Sequence, residues 1–240
     1  MTEEPRRRRS RGGRSATKSS GPARSLSYRQ LRHPFAAQQV FSDDEIANIH
    51  NTALRVLEEL GVKVLLPEAR KMYASGGARV DGEMVYIGRD IVESALKTAP
   101  SSIRLRAANP QREQVYENGA MLFMPGAGCP NATDLERGRR PGSLRDYEET
   151  LKLAQIYDVI HMFGPSAEPQ DVPTHLRHYE MMRAQMEFGD KPMFVYARGP
   201  GQVEQGFEMI QIGLGLSSDD FEDGVWANAV INTNSPRLLD

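Results

Sequence analysis

A chain of 240 residues, 39% hydrophobic and 26% charged, can bury a core as one large domain or two small ones. No window approaches the roughly 18 consecutive apolar residues of a membrane-spanning helix, and the single cysteine, Cys129, excludes a disulfide or a cysteine-based metal cage within these residues. The net charge of −2 conceals an asymmetry: residues 1–32 hold ten Lys/Arg against Glu3 and Glu4, so the remainder carries −10. One cysteine makes a reducing compartment the default, and a cytoplasmic location is expected.

Residues 1–27 are rich in arginine, serine and glycine, lack apolar periodicity, and are expected to form a disordered basic arm. No apolar stretch follows the arginines, so a secretory or twin-arginine signal is unsupported. Such arms can bind nucleic acid, but no aromatic platform or recognition element lies beside this one, and a solvated tail is the preferred reading.

Order is expected from Tyr28 onward. Ser42-Asp43-Asp44-Glu45 is a capping box, with Ser42 accepting from the Glu45 amide while the Glu45 carboxylate reaches back. Ile46, Ile49, Ala53, Leu57 and Leu60 follow at helical spacing, and Gly61 offers a stop. Residues 62–66 read as a strand, and 67–75 as a helix with Pro67 in its first turn. Residues 78–87 read as a hairpin turning at Asp81-Gly82, and 89–98 as a helix ended by Pro100. With short strands at 103–107 and 114–116 these form an α+β extension over residues 28–118. Its expected role is to cover one end or side of the C-terminal half and to offer an oligomer contact.

From residue 119 apolar runs alternate with helical stretches. The runs are 121–128, 159–170, 192–201 and 225–236; the stretches between them are 143–157, 172–188 and 202–216. Strict alternation is the mark of a parallel α/β sheet. The expected fold is α/β: the first four βα units of a (β/α)8 TIM barrel over residues 119–240. Eight strands make a barrel, so the expectation includes truncation, with exposed sheet edges and a tendency to self-associate. The segment CPNATDLERGRRPGS reads as a turn-rich excursion before the first of these helices.

In such barrels ligands gather at the carboxyl ends of the strands. The four ends supply Gly126, Gly128, Cys129 and Asn131; then Ser166, Glu168 and Gln170; then Tyr196 and Arg198, sharing a face with Phe194; then Asn228, Asn232 and Asn234 on one face. Two asparagines ending an apolar strand either bind a substrate carboxylate or stitch neighbouring loops, and both readings stand. Cys129 reads as a small buried residue beside glycines, and His161 as a satisfied core histidine. His175 and His178 sit three apart on a helix without a third ligand in register, so metal binding is disfavoured. Gly199-Pro200-Gly201 reads as a structural turn rather than a phosphate cradle.

The runs FSDDEIANIHNTALRVLEELGVKV, GGARVDGEMVYIGRDIVESALKTAPSSIRL, GAGCPNATDLERGRRPGSLRDYEE, DKPMFVYARGP and INTNSPRLLD together resemble the trimethylamine methyltransferase family, in particular its members lacking pyrrolysine. The similarity covers residues 28–240 in the family's order and spacing. It implies a (β/α)8 barrel that takes a methyl group from a tertiary or quaternary amine, of trimethylamine or betaine type. The acceptor it implies is the corrinoid (cobalamin) of a cognate partner protein, with no cofactor bound permanently. The candidate substrate-binding residues are then Glu168, Tyr196, Arg198, Asn232 and Asn234. Aromatic faces at Tyr196, Phe194 and Trp226 suit a quaternary ammonium, and Arg198 or the asparagines suit a carboxylate. No catalytic acid, base or metal is assigned. The reading from a different class is a catalytically inactive fragment or interaction protein derived from such an enzyme.

Overall fold

The computed structural model describes residues 28–36, 38–126, 128–230 and 238–239. The arginine-rich arm, Asn232 and Asn234 lie outside the described residues. The described part is a mixed α/β structure, and none of its helices is long and apolar enough to cross a membrane.

The N-terminal elements are β1 (Leu31–Arg32), α1 (Asp43–Arg55), β2 (Val62–Val64), α2 (Pro67–Ser75), β3 (Arg79–Asp81), β4 (Met84–Tyr86), α3 (Arg89–Thr98), β5 (Ser102–Leu105) and β6 (Gln114–Glu117). The α1 capping box forms: the Glu45 amide donates to Ser42 Oγ, and the Ser42 amide donates to Glu45 Oε2 at 2.8 Å. A π-helical turn at Val56–Leu60 continues α1 until Gly61, whose φ of 69° favours glycine. The hairpin turns where expected, pairing Asp81 with Met84. Val64, Ala78 and Val85 form its small core under α2 and α3. Ile46 and Ile49, which follow the cap at helical spacing, are about half exposed, and Leu54 alone is buried in that helix.

The C-terminal half contains β7 (Ala120–Met121), β8 (Asn131–Asp134), β9 (Gly138–Pro141), α4 (Leu144–Ile156), α5 (Thr174–Phe188), β10 (Met193–Phe194), α6 (Pro200–Leu214), α7 (Ser218–Glu222), β11 (Ala227–Asn228) and β12 (Leu238–Leu239). The turn-rich excursion after Cys129 is an antiparallel hairpin, β8–β9. Met121 pairs antiparallel with Leu31, so the apolar run containing it joins its parallel neighbour only from Phe123.

Beyond that point hydrogen bonds link extended segments in chain order. His161 N donates to Phe123 O, Cys129 N to Ser166 O and Glu168 N to Cys129 O, linking the first two in parallel. Phe163 N donates to Pro192 O, and β10 pairs in parallel with β11. Helices α4, α5 and α6 fall between successive segments and pack on one another. Two apolar clusters hold the layers. Tyr147, Leu151 and Ala154 of α4 meet Phe163 and Met181, while Met182, Met193, Val195 and Ile210 join α5, β10 and α6.

Candidate functional site

The second and third segments bring three of the candidate residues together at their carboxyl ends. Arg198 Nη2 donates to Glu168 Oε1 at 2.7 Å, and its guanidinium carbon lies 5.5 Å from the centre of the Tyr196 ring. Arg177 Nη1, from the first turns of α5, stands 3.4 Å from Glu168 Oε2. One carboxylate thus faces two guanidinium groups, leaving a surplus of one positive charge. Phe194 packs edge-on to Tyr196 with ring centres 5.5 Å apart, as their shared face requires.

Local backbone features fix Glu168. Ser166 has φ 33°, a conformation costly without glycine, at the bend that turns the chain toward Glu168. The Glu168 amide donates to Cys129 O at 2.8 Å, and its carbonyl accepts from Gln170 Nε2 at 3.1 Å. Gly142 packs against the Glu168 peptide so closely that a Cβ there would lie 2.8 Å from the Glu168 oxygen. Gly128 serves Tyr196 similarly, its absent Cβ leaving room for the phenol oxygen at 3.0 Å.

The cavity between these groups has a volume of about 10 Å³, room for a single water, and is lined also by Thr174, Arg177, His178, Met181 and Gln202. Several polar groups of its lining are under-used: Arg177 Nε, His178 Nδ1, Tyr196 Oη and Gln202 Oε1 are all buried without a hydrogen-bond partner among the described residues. Burial raises the Tyr196 pKa, with the Glu168 charge adding and Arg198 and Arg177 opposing, so the phenol remains a donor. Sequence reading missed Arg177, His178 and Gln202 here, because their place depends on how the starts of α5 and α6 dock.

Other candidates lie elsewhere or behave differently. Cys129 is exposed rather than buried, and its thiol donates to Asn131 O at the start of β8 at 3.2 Å. Trp226 does not wall this site: its Nε1 donates to Asp220 O and its ring packs with the Met193–Ile210 cluster on the helical side. Asn228 spends its amide on Met193 O at 3.1 Å, the stitching role. His161 is fully buried and accepts from Phe123 N at Nδ1, with the Arg29 backbone as a second hydrogen-bonding neighbour. Burial lowers its pKa and keeps it neutral. His175 is exposed while His178 Nε2 lies 2.7 Å from Gln205 Oε1. Gly199, at φ 89°, is the N-cap of α6, with Pro200 at its first position.

A model of the family "trimethylamine methyltransferase (MTTB)" matches residues 6–240. The chain belongs to the trimethylamine methyltransferase family. Among curated relatives, a glycine betaine methyltransferase of Desulfitobacterium hafniense (strain Y51) is 33% identical over 202 residues, 84% of this chain and 42% of the relative. A proline betaine:corrinoid methyltransferase of Eubacterium limosum is 36% identical over 206 residues, 82% of this chain and 41% of its own. An L-carnitine:corrinoid methyltransferase of the same organism is 28% identical over 176 residues, 69% and 36% of the two chains. The chain therefore spans about two fifths of the length of the family members it matches.

Proposed function

We propose that the protein moves a methyl group from a betaine-type quaternary amine to the corrinoid of a partner protein, on a (β/α)8 barrel to which residues 119–240 contribute four βα units. In this reading residues 28–118 form a cover beside the barrel. The observation that carries it is the meeting of Tyr196, Arg198 and Glu168 at the ends of neighbouring segments, in a chain whose relatives include proteins named for glycine betaine, proline betaine and carnitine as well as for trimethylamine.

A quaternary ammonium has neither a proton to give nor a lone pair to receive one, so an aromatic face and a carboxylate are its best partners. The two guanidinium groups supply the positive charge that a betaine carboxylate needs. Asn232 and Asn234, outside the described residues, keep their assignment to the same end of the ligand on sequence grounds. The corrinoid supplies a cobalt nucleophile for displacement at the methyl carbon. The protein's own residues therefore have to orient and desolvate the amine, not to move protons.

The test is methylation of a reduced corrinoid, followed by cobalt absorbance, with glycine betaine and trimethylamine in turn. Arg198→Ala should lower betaine kcat/KM about tenfold, near the lower end of the range for a charge-assisted hydrogen bond because the group is half exposed. Trimethylamine, with no carboxylate, should lose much less. Unchanged betaine turnover would move the anion site elsewhere. Equal losses for both amines would make Arg198 structural.

A further inference from the structure

Arg198 makes the two contacts that a quaternary ammonium would want: its guanidinium sits on the Glu168 carboxylate at 2.7 Å and over the Tyr196 ring at 5.5 Å. We propose that Arg198 is an internal stand-in for the substrate cation, and that a zwitterion binds by parting the Arg198–Glu168 pair. The trimethylammonium takes Arg198's place against Glu168 and Tyr196, and the displaced guanidinium takes the substrate carboxylate. Glu168 is then the residue that sets specificity for the ammonium. This rests on the betaine reading above and adds how the site tells a zwitterion from a plain cation or anion.

Four observations support the exchange. The cavity holds about one water, so a ligand must displace something. Arg198 is the part free to move, since its side chain is 57% exposed while those of Glu168 and Arg177 are 11% and 13% exposed. Glu168 is tethered: its peptide is bonded to Cys129 and Gln170 and closed in by Gly142, and Arg177 remains beside its carboxylate when Arg198 leaves. Finally, the charges balance. A zwitterion inserted between the partners gives each a new counter-charge. A bare cation would strand Arg198, and a bare anion would leave Glu168 with Arg177 alone.

The probe is an isosteric pair. Glycine betaine and 3,3-dimethylbutanoate share their shape and carboxylate, but the second carries a neutral carbon where the first carries the ammonium nitrogen. Titration calorimetry on the protein should show betaine preferred by about tenfold or more. Glu168→Gln should bring the two within about threefold, mainly by weakening betaine, and Arg198→Gln should weaken both while the preference persists. Tetramethylammonium should bind the unsubstituted protein at least about tenfold less tightly than betaine, a comparison that needs no variant to fold. A Glu168→Gln protein that melts normally yet keeps the full preference would overturn the proposal, as would tetramethylammonium binding equal to betaine. Because heat is read rather than turnover, a Glu168-dependent preference without corrinoid methylation would sink the methyl-transfer reading alone. Methylation with a Glu168-independent preference would sink the exchange alone, and no binding of either isostere would sink both.

Discussion

Lys191 has no exposure to solvent, and its ammonium donates to the carbonyls of Ala154 at 2.5 Å, Tyr157 at 3.0 Å and Ile160 at 2.6 Å. These carbonyls lie at the carboxyl end of α4 and in the turn beyond it, where Tyr157 O also accepts from Ile160 N and a cation meets the negative end of the helix dipole. Gln185 plays a comparable part at β10. Its side-chain amide accepts from Phe194 N at 2.7 Å and donates to Phe194 O at 3.0 Å, standing in for a strand where the second segment turns away. Gln185→Leu keeps the bulk but leaves both peptide groups buried and unpaired. It should cost about 2–4 kcal/mol in chemical denaturation, and a loss below about 0.5 kcal/mol would show that other groups satisfy Phe194. Neither role was legible in the sequence, where Lys191 and Gln185 look like ordinary polar residues in a loop and a helix. The meeting of Glu168, Tyr196 and Arg198 was legible, because strand alternation and the strand-end rule need only local pattern. Trp226 was misread because adjacency to a strand does not say which layer a ring joins.

At the scale of elements, the clearest sequence signals are the caps. Ser143 and Asp146 repeat the reciprocal box of Ser42 and Glu45, and Ser217 with Asp220 forms a third that starts α7, a helix the apolar pattern alone does not reveal. The β8–β9 hairpin escaped notice for the opposite reason. It has no alternating apolar face, and its shape comes from Gly138 at φ 64° and from charge, with Arg137 and Arg140 both reaching Asp134 and Asp146. Asp146 therefore serves helix and hairpin together. Burial pushes its pKa up, but hydrogen bonds from Ser143 and Arg140 outweigh that, and the net direction is down. A carboxylate with a depressed folded pKa stabilises above its unfolded value and loses that contribution as pH falls through the folded one. Asp146→Asn should thus cost about 1–2 kcal/mol at pH 6, and the deficit should shrink below about pH 4. Urea midpoints at pH 6 and pH 3 check this. A deficit that does not change with pH would assign the loss to shape rather than charge.

At the scale of the molecule, the N-terminal elements are sewn to the parallel segments at two seams. In the first, Leu105 bridges Val225 and Arg106 N donates to Val225 O at 2.7 Å, so β5 flanks the entry to β11. The second is polar and centres on Arg112, whose Nη1 lies 2.7 Å from Asp158 and whose guanidinium carbon stacks 4.2 Å from the centre of the Tyr28 ring. Asn109 completes it by donating from its side chain to Asp190 at 2.9 Å. Tyr28, Asn109 and Arg112 come from before β7, whereas Asp158 and Asp190 follow α4 and α5, so one guanidinium ties parts far apart in the chain. With side chains 20% and 35% exposed, the Arg112–Asp158 pair is neither a solvated surface pair nor fully desolvated. Arg112→Gln should therefore cost about 1–3 kcal/mol, with the melting temperature falling by roughly 2–4 °C per kcal/mol. If the bond to Asp158 carries most of that loss, Asp158→Asn in the Arg112→Gln background should add little, and the double-mutant cycle should return a coupling of about 1 kcal/mol. Amide exchange should quicken on both sides of the seam, at Val115, which pairs with the Gln30 side chain, and at the end of α4. Additive losses with unchanged exchange would mean that the apolar contacts and the Leu105–Val225 bridge hold the two parts together and that Arg112 is incidental to their union.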